Sequence, residues 1–166
     1  MAPAAAEVIY QHFVDFNTKP DDYDAIYTGD LGEVGKKILL HLLHENGYDL
    51  SGVHGDCGIE IYESEEQDTH SGGSGCACSA VVLASMIIKK ITDGIWKRVL
   101  FVPTGALMSK TSFNEGESVA GIAHAILLEG ENEGWNISGH LLQVGSSAFW
   151  YRFLWIIQHC SQEGSW

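Results

Sequence analysis

The segment that most constrains the fold runs from Cys76 to Ile91. There Ala80, Val81, Val82, Leu83, Ala84, Met86, Ile87, Ile88 and Ile91 leave almost no polar face before Lys89 and Lys90. A helix this apolar around its circumference must be covered on nearly every side. Gly72-Gly-Ser-Gly75 leads into it and Asp93-Gly94 ends it. The run that follows, Arg98-Val-Leu-Phe-Val102, is continuously apolar, as strands buried on both faces of a sheet are. A covered helix beside a two-sided strand predicts an α/β layered domain.

The rest of the chain fits that plan. Ala5, Ile9 and Phe13 recur every fourth position and form one helical stripe, which Asn17-Thr-Lys-Pro20 breaks. Asp24-Ala-Ile-Tyr-Thr28 reads as a strand and Gly29-Asp-Leu-Gly32 as a turn. Val34, Ile38 and Leu42, flanked by Leu39 and Leu43, form a second helical face. Asp30 with Glu33 three residues later has the spacing of a capping box, and Gly47 supplies a left-handed stop. Residues 52 to 71 read as a solvated loop around a brief strand, and Gly121 to Leu128 as a further strand. From residue 130 the composition shifts, and four of the five tryptophans, Trp135, Trp150, Trp155 and Trp166, fall there. The expected organisation is therefore a domain over 1–129 and an atypical aromatic-rich tail over 130–166.

Acidic residues outnumber basic ones 22 to 9, for a formal charge of −13. A field of that sign repels phosphate backbones and anionic lipid, so no nucleic-acid partner is expected. Cys57, Cys76, Cys78 and Cys160 follow no secreted-scaffold spacing, and with no apolar leader at Met1 a reducing cytoplasm is the expected setting. No apolar run approaches the ~20 residues that span a bilayer. Cys76-Ala-Cys78 supplies two thiols where a zinc site needs four ligands, so packing residues and no metal site are expected. His124, in an apolar strand, reads as a hydrogen-bonded core residue. Gly29-x-x-Gly32-x-x-Gly35-Lys36 lacks the gap of a phosphate loop.

Asp22-Tyr-Asp-Ala-Ile-Tyr-Thr-Gly-Asp-Leu-Gly-Glu-Val-Gly35, Asp56-Cys-Gly58, Gln67-Asp-Thr-His-Ser-Gly-Gly-Ser-Gly-Cys-Ala-Cys-Ser-Ala80, Arg98-Val-Leu-Phe-Val-Pro-Thr-Gly-Ala-Leu107 and Gly116-Glu-Ser-Val-Ala-Gly-Ile-Ala-His-Ala125 follow one another in register. Together they resemble the stage V sporulation protein AD family, as far as Leu128 or Glu129. The resemblance implies the C-terminal half of a thiolase-like αβαβα layered fold, with a mixed sheet and a buried central helix. It also implies that Met1 stands inside the family pattern, with an N-terminal half missing. The implied function is non-catalytic binding of dipicolinic acid, free or as its calcium chelate, in loading of the developing spore. The implied partners are other stage V sporulation A proteins at the membrane, with a homodimer also open. The implied location is the cytoplasm or the periphery of the forespore or spore inner membrane.

A condensing enzyme of this fold needs a thiolate nucleophile and two stabilising side chains. Laid on that pattern, the first stabiliser falls near Gly29 or Asp30 and the second near Ser74, neither suited to the task, so no catalytic residue is assigned. Anion binding fits better, because the glycine run opens a helix whose free backbone N–H groups attract a carboxylate. The candidate ligand-binding residues are Asp30, His70, Ser74, Gly75 and Cys76. Asp30 would meet calcium or a protonated neighbour, and calcium would enter only as the dipicolinate chelate, with no cofactor otherwise. The alternatives are an acyltransferase-like enzyme of the ketoacyl synthase class and an assembly module for a membrane complex. For the tail segment Ala148–Ile157, three readings stay open: a membrane-surface contact, a replacement for lost contacts, or no evolved role.

Overall fold

In the computed structural model, residues 1–72, 75, 77–106, 109–131 and 134–136 are described. Helix α1 (Ala2–Phe16) buries Ala5, Ile9 and Phe13, the stripe read from the sequence, and ends on Asn17 in the left-handed region. Strand β1 (Ala25–Thr28) leads through a turn into α2 (Gly32–Glu45). Next come β2 (His54–Asp56) and the short helices α3 (Cys57–Glu60) and α4 (Ser64–Gln67). Three helical segments then run end to end, α5 (Cys78–Val82), a π-helical turn (Leu83–Ile87) and α6 (Ile88–Thr92). Beyond them lie β3 (Arg98–Val102), β4 (Thr104–Ala106), α7 (Lys110–Asn114), β5 (Gly121–Ala123), β6 (Ile126–Glu131) and β7 (Gly134–Asn136).

The main sheet has the order β2-β1-β3-β6-β7. β1 is parallel to β2 and β3, and β6 is antiparallel to β3 and β7, so the sheet is mixed, as expected. Alternation along the strands splits the core in two. Ile26, Leu100 and Val102 pack with Ile9, Phe13, Leu39 and Leu43 of α1 and α2. Ala25, Tyr27, Val99 and Phe101 pack with Cys78, Val82, Ile87 and Ile91. The chain is thus an α/β domain with helices on both faces of a central sheet.

Several sequence expectations are corrected. On α2 it is Leu39 and Leu43 that are buried, while Val34 is 57% and Ile38 44% exposed. The buried stripe is continued by Gly32, whose contact with the 71–72 backbone sets the helix's rotation. Asp30 does not cap α2: its N-cap position is Leu31, and Asp56 on β2 accepts from the amides of Leu31 and Gly32 instead. Gly47 does adopt φ +86°, as the left-handed stop requires. The strand read as Gly121 to Leu128 is two strands, since β5 leaves the main sheet to pair with β4 in a separate ribbon. His124 lies at the break, its amide donating to the Pro103 carbonyl.

The apolar helix also differs from expectation. Its buried residues are spaced four, five and four apart, and the five-residue step falls in the π-helical turn. Regular α spacing from Cys78 and Val82 would bring Met86 and then Lys90 inward. The extra residue rotates the helix so that Ile87 and Ile91 take those places, and Lys90 lies over the Trp96 ring at 4.1 Å instead. The opposite face is not covered: Ala80, Val81 and Ala84 are exposed among the described residues, Val81 by 51%. No described helix is long and apolar enough to cross a membrane.

Candidate functional site

Two loops meet beyond the end of β1. The Asp30 carboxylate accepts the Gly75 amide at 2.6 Å, and the Glu33 amide donates to the Ser71 carbonyl at 2.6 Å. Gly32 sits against Ser71 with φ +66°, a backbone that only glycine adopts without strain, and a Cβ there would stand 2.5 Å from the Ser71 oxygen. A third segment joins through Thr104, whose hydroxyl accepts the Asp30 amide at 3.1 Å. Segments distant in sequence therefore fix the turn that presents Asp30.

Beneath the turn lies a buried polar network. Asp56 accepts from the Thr28 hydroxyl at 2.7 Å, from the Leu31 and Gly32 amides at 3.0 Å each, and from the Gly58 amide at 3.2 Å. Thr28 spends its single proton on Asp56, so His54 Nε2, 3.0 Å away, must carry a proton and donate to the Thr28 oxygen. Burial pushes the Asp56 carboxyl above its ordinary range, against the pull of its four hydrogen bonds, Thr28's foremost. Burial likewise holds His54 down at about 3, with nearby Lys36 acting in the same direction. Thr28 and Asp56 are sealed from solvent, so they brace the turn and cannot touch a ligand.

Of the candidate residues the structure brings Asp30 and Gly75 together, the Gly75 amide donating to the Asp30 carboxylate. His70 is exposed and pairs with Asp68 at 3.6 Å. Ser74 and Cys76 lie outside the described residues. Cys78 donates its thiol to the Gly75 carbonyl at 3.0 Å, and Cys57 is fully buried with its thiol pushed up by desolvation. No group of three or more potential metal-binding side chains occurs among the described residues. Sequence reasoning missed Thr28, His54, Asp56 and Thr104. The one signal was a polar residue at each strand end flanking a glycine turn.

A model of the family described as Stage V sporulation protein AD (SpoVAD) matches residues 1–129. The chain belongs to this family. The match ends where the sequence motifs stop. Stage V sporulation protein AD of Bacillus subtilis (strain 168) is 50% identical over 129 residues, which are 78% of this chain and 38% of that protein. The chain thus spans well under half the length of this SpoVAD relative. Asp30, Gly75 and the Asp56 network all lie inside the matched region.

Proposed function

We propose that this SpoVAD-family chain binds calcium dipicolinate without catalysing a condensation, and that it serves uptake of that ligand into the developing spore. The single observation that supports the reading most is the cross-braced pair of loops presenting the Asp30 carboxylate beside Gly75. Charge selects the form of the ligand. The chain carries −13 and the site displays a carboxylate, so the free dianion is repelled. The calcium chelate is neutral, and its metal, a hard cation that takes six to eight oxygen ligands, has room for the Asp30 oxygen. Neither Asp30 nor Ser74 replaces the imidazole of a condensing enzyme, which weighs against the acyltransferase alternative.

Titration calorimetry on the 166-residue chain tests this. Dipicolinate should give heat of binding only when calcium is present, and Asp30→Asn, which keeps an acceptor for the Gly75 amide, should weaken binding about tenfold, or about 1.4 kcal/mol. Equal binding with and without calcium, or no heat in either case, overturns the reading.

The exposed face of α5 and the π-helical turn favours a second reading alongside the first. A thiolase-like fold would cover Ala80, Val81 and Ala84 with a further layer, supplied by another half-molecule, by a second copy, or by a membrane-bound partner of the stage V sporulation A system. Sedimentation of the chain at micromolar concentration should show self-association that Val81→Lys abolishes. A monodisperse wild-type monomer counts against it.

A further inference from the structure

We propose that the tip between α6 and β3, residues 89–97, is a docking surface for an anionic lipid bilayer, with Ile95 entering its apolar boundary and Lys90 and Lys97 meeting the headgroups. The tip stands where β3 begins, and β3 is parallel to β1, so it lies at the opposite end of the sheet from Asp30 and is independent of the reading of that site. Charge leads to it. Residues 89–98 hold four of the chain's nine lysines and arginines and one of its 22 carboxylates, so this stretch carries +3 on a chain of −13. The carboxylates that meet it are already engaged. Asp93 pairs with Lys89 at 2.8 Å, Glu129 pairs with Arg98 at 3.2 Å, and Asp24 accepts the amides of Lys97 and Arg98. Lys90 lies over the Trp96 ring without a carboxylate, and the Lys97 ammonium makes no ion pair among the described residues.

Between these two cations the tip is apolar. Ile95 is 63% exposed, while Trp96 is half-buried against Tyr27 with ring centroids 5.7 Å apart. The backbone holds Ile95 outward: its amide and that of Trp96 both donate to the Lys90 carbonyl, at 2.9 and 3.1 Å, and Gly94 makes the turn at φ +72°. No ordering cost remains to be met on docking. A stable protein interface buries about 800 Å² on each partner around an apolar core, which one protruding isoleucine does not supply. A fluid bilayer asks less of shape: an aliphatic chain to insert, an indole suited to the headgroup level and lysines beside them. The acidic remainder of the chain does not prevent this, because charges are screened beyond about 8 Å at physiological salt and a surface touching the tip meets the tip's charge first. No described helix can cross the bilayer, so the contact is peripheral.

Co-sedimentation of the 166-residue chain with vesicles at about 0.15 M salt tests the surface. The chain should pellet with equimolar phosphatidylglycerol and phosphatidylcholine and stay in solution with phosphatidylcholine alone. Lys90→Gln and Lys97→Gln should each weaken partition about fivefold, the factor one lysine near such a surface contributes, and Ile95→Ser about tenfold. Ile95 and Lys97 are exposed, so these two variants should give the wild-type circular dichroism spectrum and carry the comparison if Lys90→Gln does not. Pelleting of the wild type with both kinds of vesicle or with neither overturns the proposal. So does undiminished pelleting of Lys97→Gln and Ile95→Ser with the anionic vesicles, which would place the lipid contact elsewhere on the chain.

Discussion

Asp56→Ala should leave the chain barely folded in water, with a loss of about 4 kcal/mol from a total of roughly 5–15 kcal/mol for a domain of this kind. The carboxylate is 1% exposed and is the acceptor for three backbone amides and one hydroxyl. Removing it strands the Leu31 and Gly32 amides, each costing about 1–3 kcal/mol where water cannot replace the lost partner, while the Gly58 amide and the Thr28 hydroxyl keep weaker contacts with the Gly29 and Gly55 carbonyls. Some water will enter, which is why the expected total is below the simple sum. The damage is also directional. Leu31 and Gly32 open α2, Gly58 lies in α3, and the same residues hold the turn that presents Asp30. Asp56→Asn keeps one oxygen but turns an amide NH₂ toward backbone N–H groups, so it should recover only part of the loss. Thr28→Val, which removes one donor from Asp56 and the acceptor for His54, should cost about 1–2 kcal/mol. Urea unfolding followed by circular dichroism reads all three, and an Asp56→Ala midpoint equal to wild type refutes the assignment.

How much of this was legible in the sequence depends on how local the cause is. The α1 stripe, the strand–turn–helix at Asp24 to Leu43 and the apolar β3 run are set by periodicities of a few residues, and each appears where periodicity puts it. The rotation of α2 did not follow, because Val34, Ile38 and Leu42 make as good a stripe as Leu39 and Leu43 until the contact of Gly32 with the 71–72 backbone chooses between them. The cap of α2 was misassigned for a related reason. Asp30 has the right spacing, yet Asp56, 24 residues beyond Gly32, reaches the same amides through the pairing of β1 with β2. The π-helical turn has no signature in propensity. It follows from the cost of burying Lys90, which a two-dimensional reading of the helix face does not weigh. Within the candidate site, Asp30 and Gly75 were legible as members of glycine-rich turns. Thr104 was not, since its hydroxyl meets the Asp30 amide only once the pairing of β1 with β3 brings the start of β4 beside the turn.

Two buried histidines, His54 in the same network and His12 against Tyr23, should make the chain lose stability on mild acidification. His12 and His54 are both buried, and burial holds them down at about 4 and about 3 respectively; the charge on Arg98 adds to the effect at His12 and that on Lys36 at His54. The geometry supplies the cause. Tyr23 gives its proton to Thr18, so His12 Nε2 donates to the Tyr23 oxygen as His54 Nε2 donates to Thr28, and Nδ1 of each ring is buried without a hydrogen-bond partner. Protonation would place an N–H and a charge there with no acceptor. The sign follows from linkage. Both folded values lie below the unfolded value near 6.5, so the stability is whole above about pH 6.5 and drains as pH falls toward the folded values, because the unfolded chain takes up protons that the folded chain refuses. Two such groups amount to roughly 3 kcal/mol between pH 6.5 and 5, or a fall in melting temperature of about 6–12 °C for a chain of this size. Asp56 acts in the opposite sense: its folded value is raised, so the folded chain takes up that proton before the unfolded chain does, and this offsets part of the fall once pH drops into its range. Melting curves from pH 7 to 5 at 0.15 M salt, where repulsion among the exposed carboxylates is screened beyond about 8 Å, measure the slope. His54→Asn should roughly halve that slope even if it lowers the melting temperature at pH 7. A wild-type melting temperature that stays level from pH 7 to 5 would show that both rings take up their protons in the folded chain.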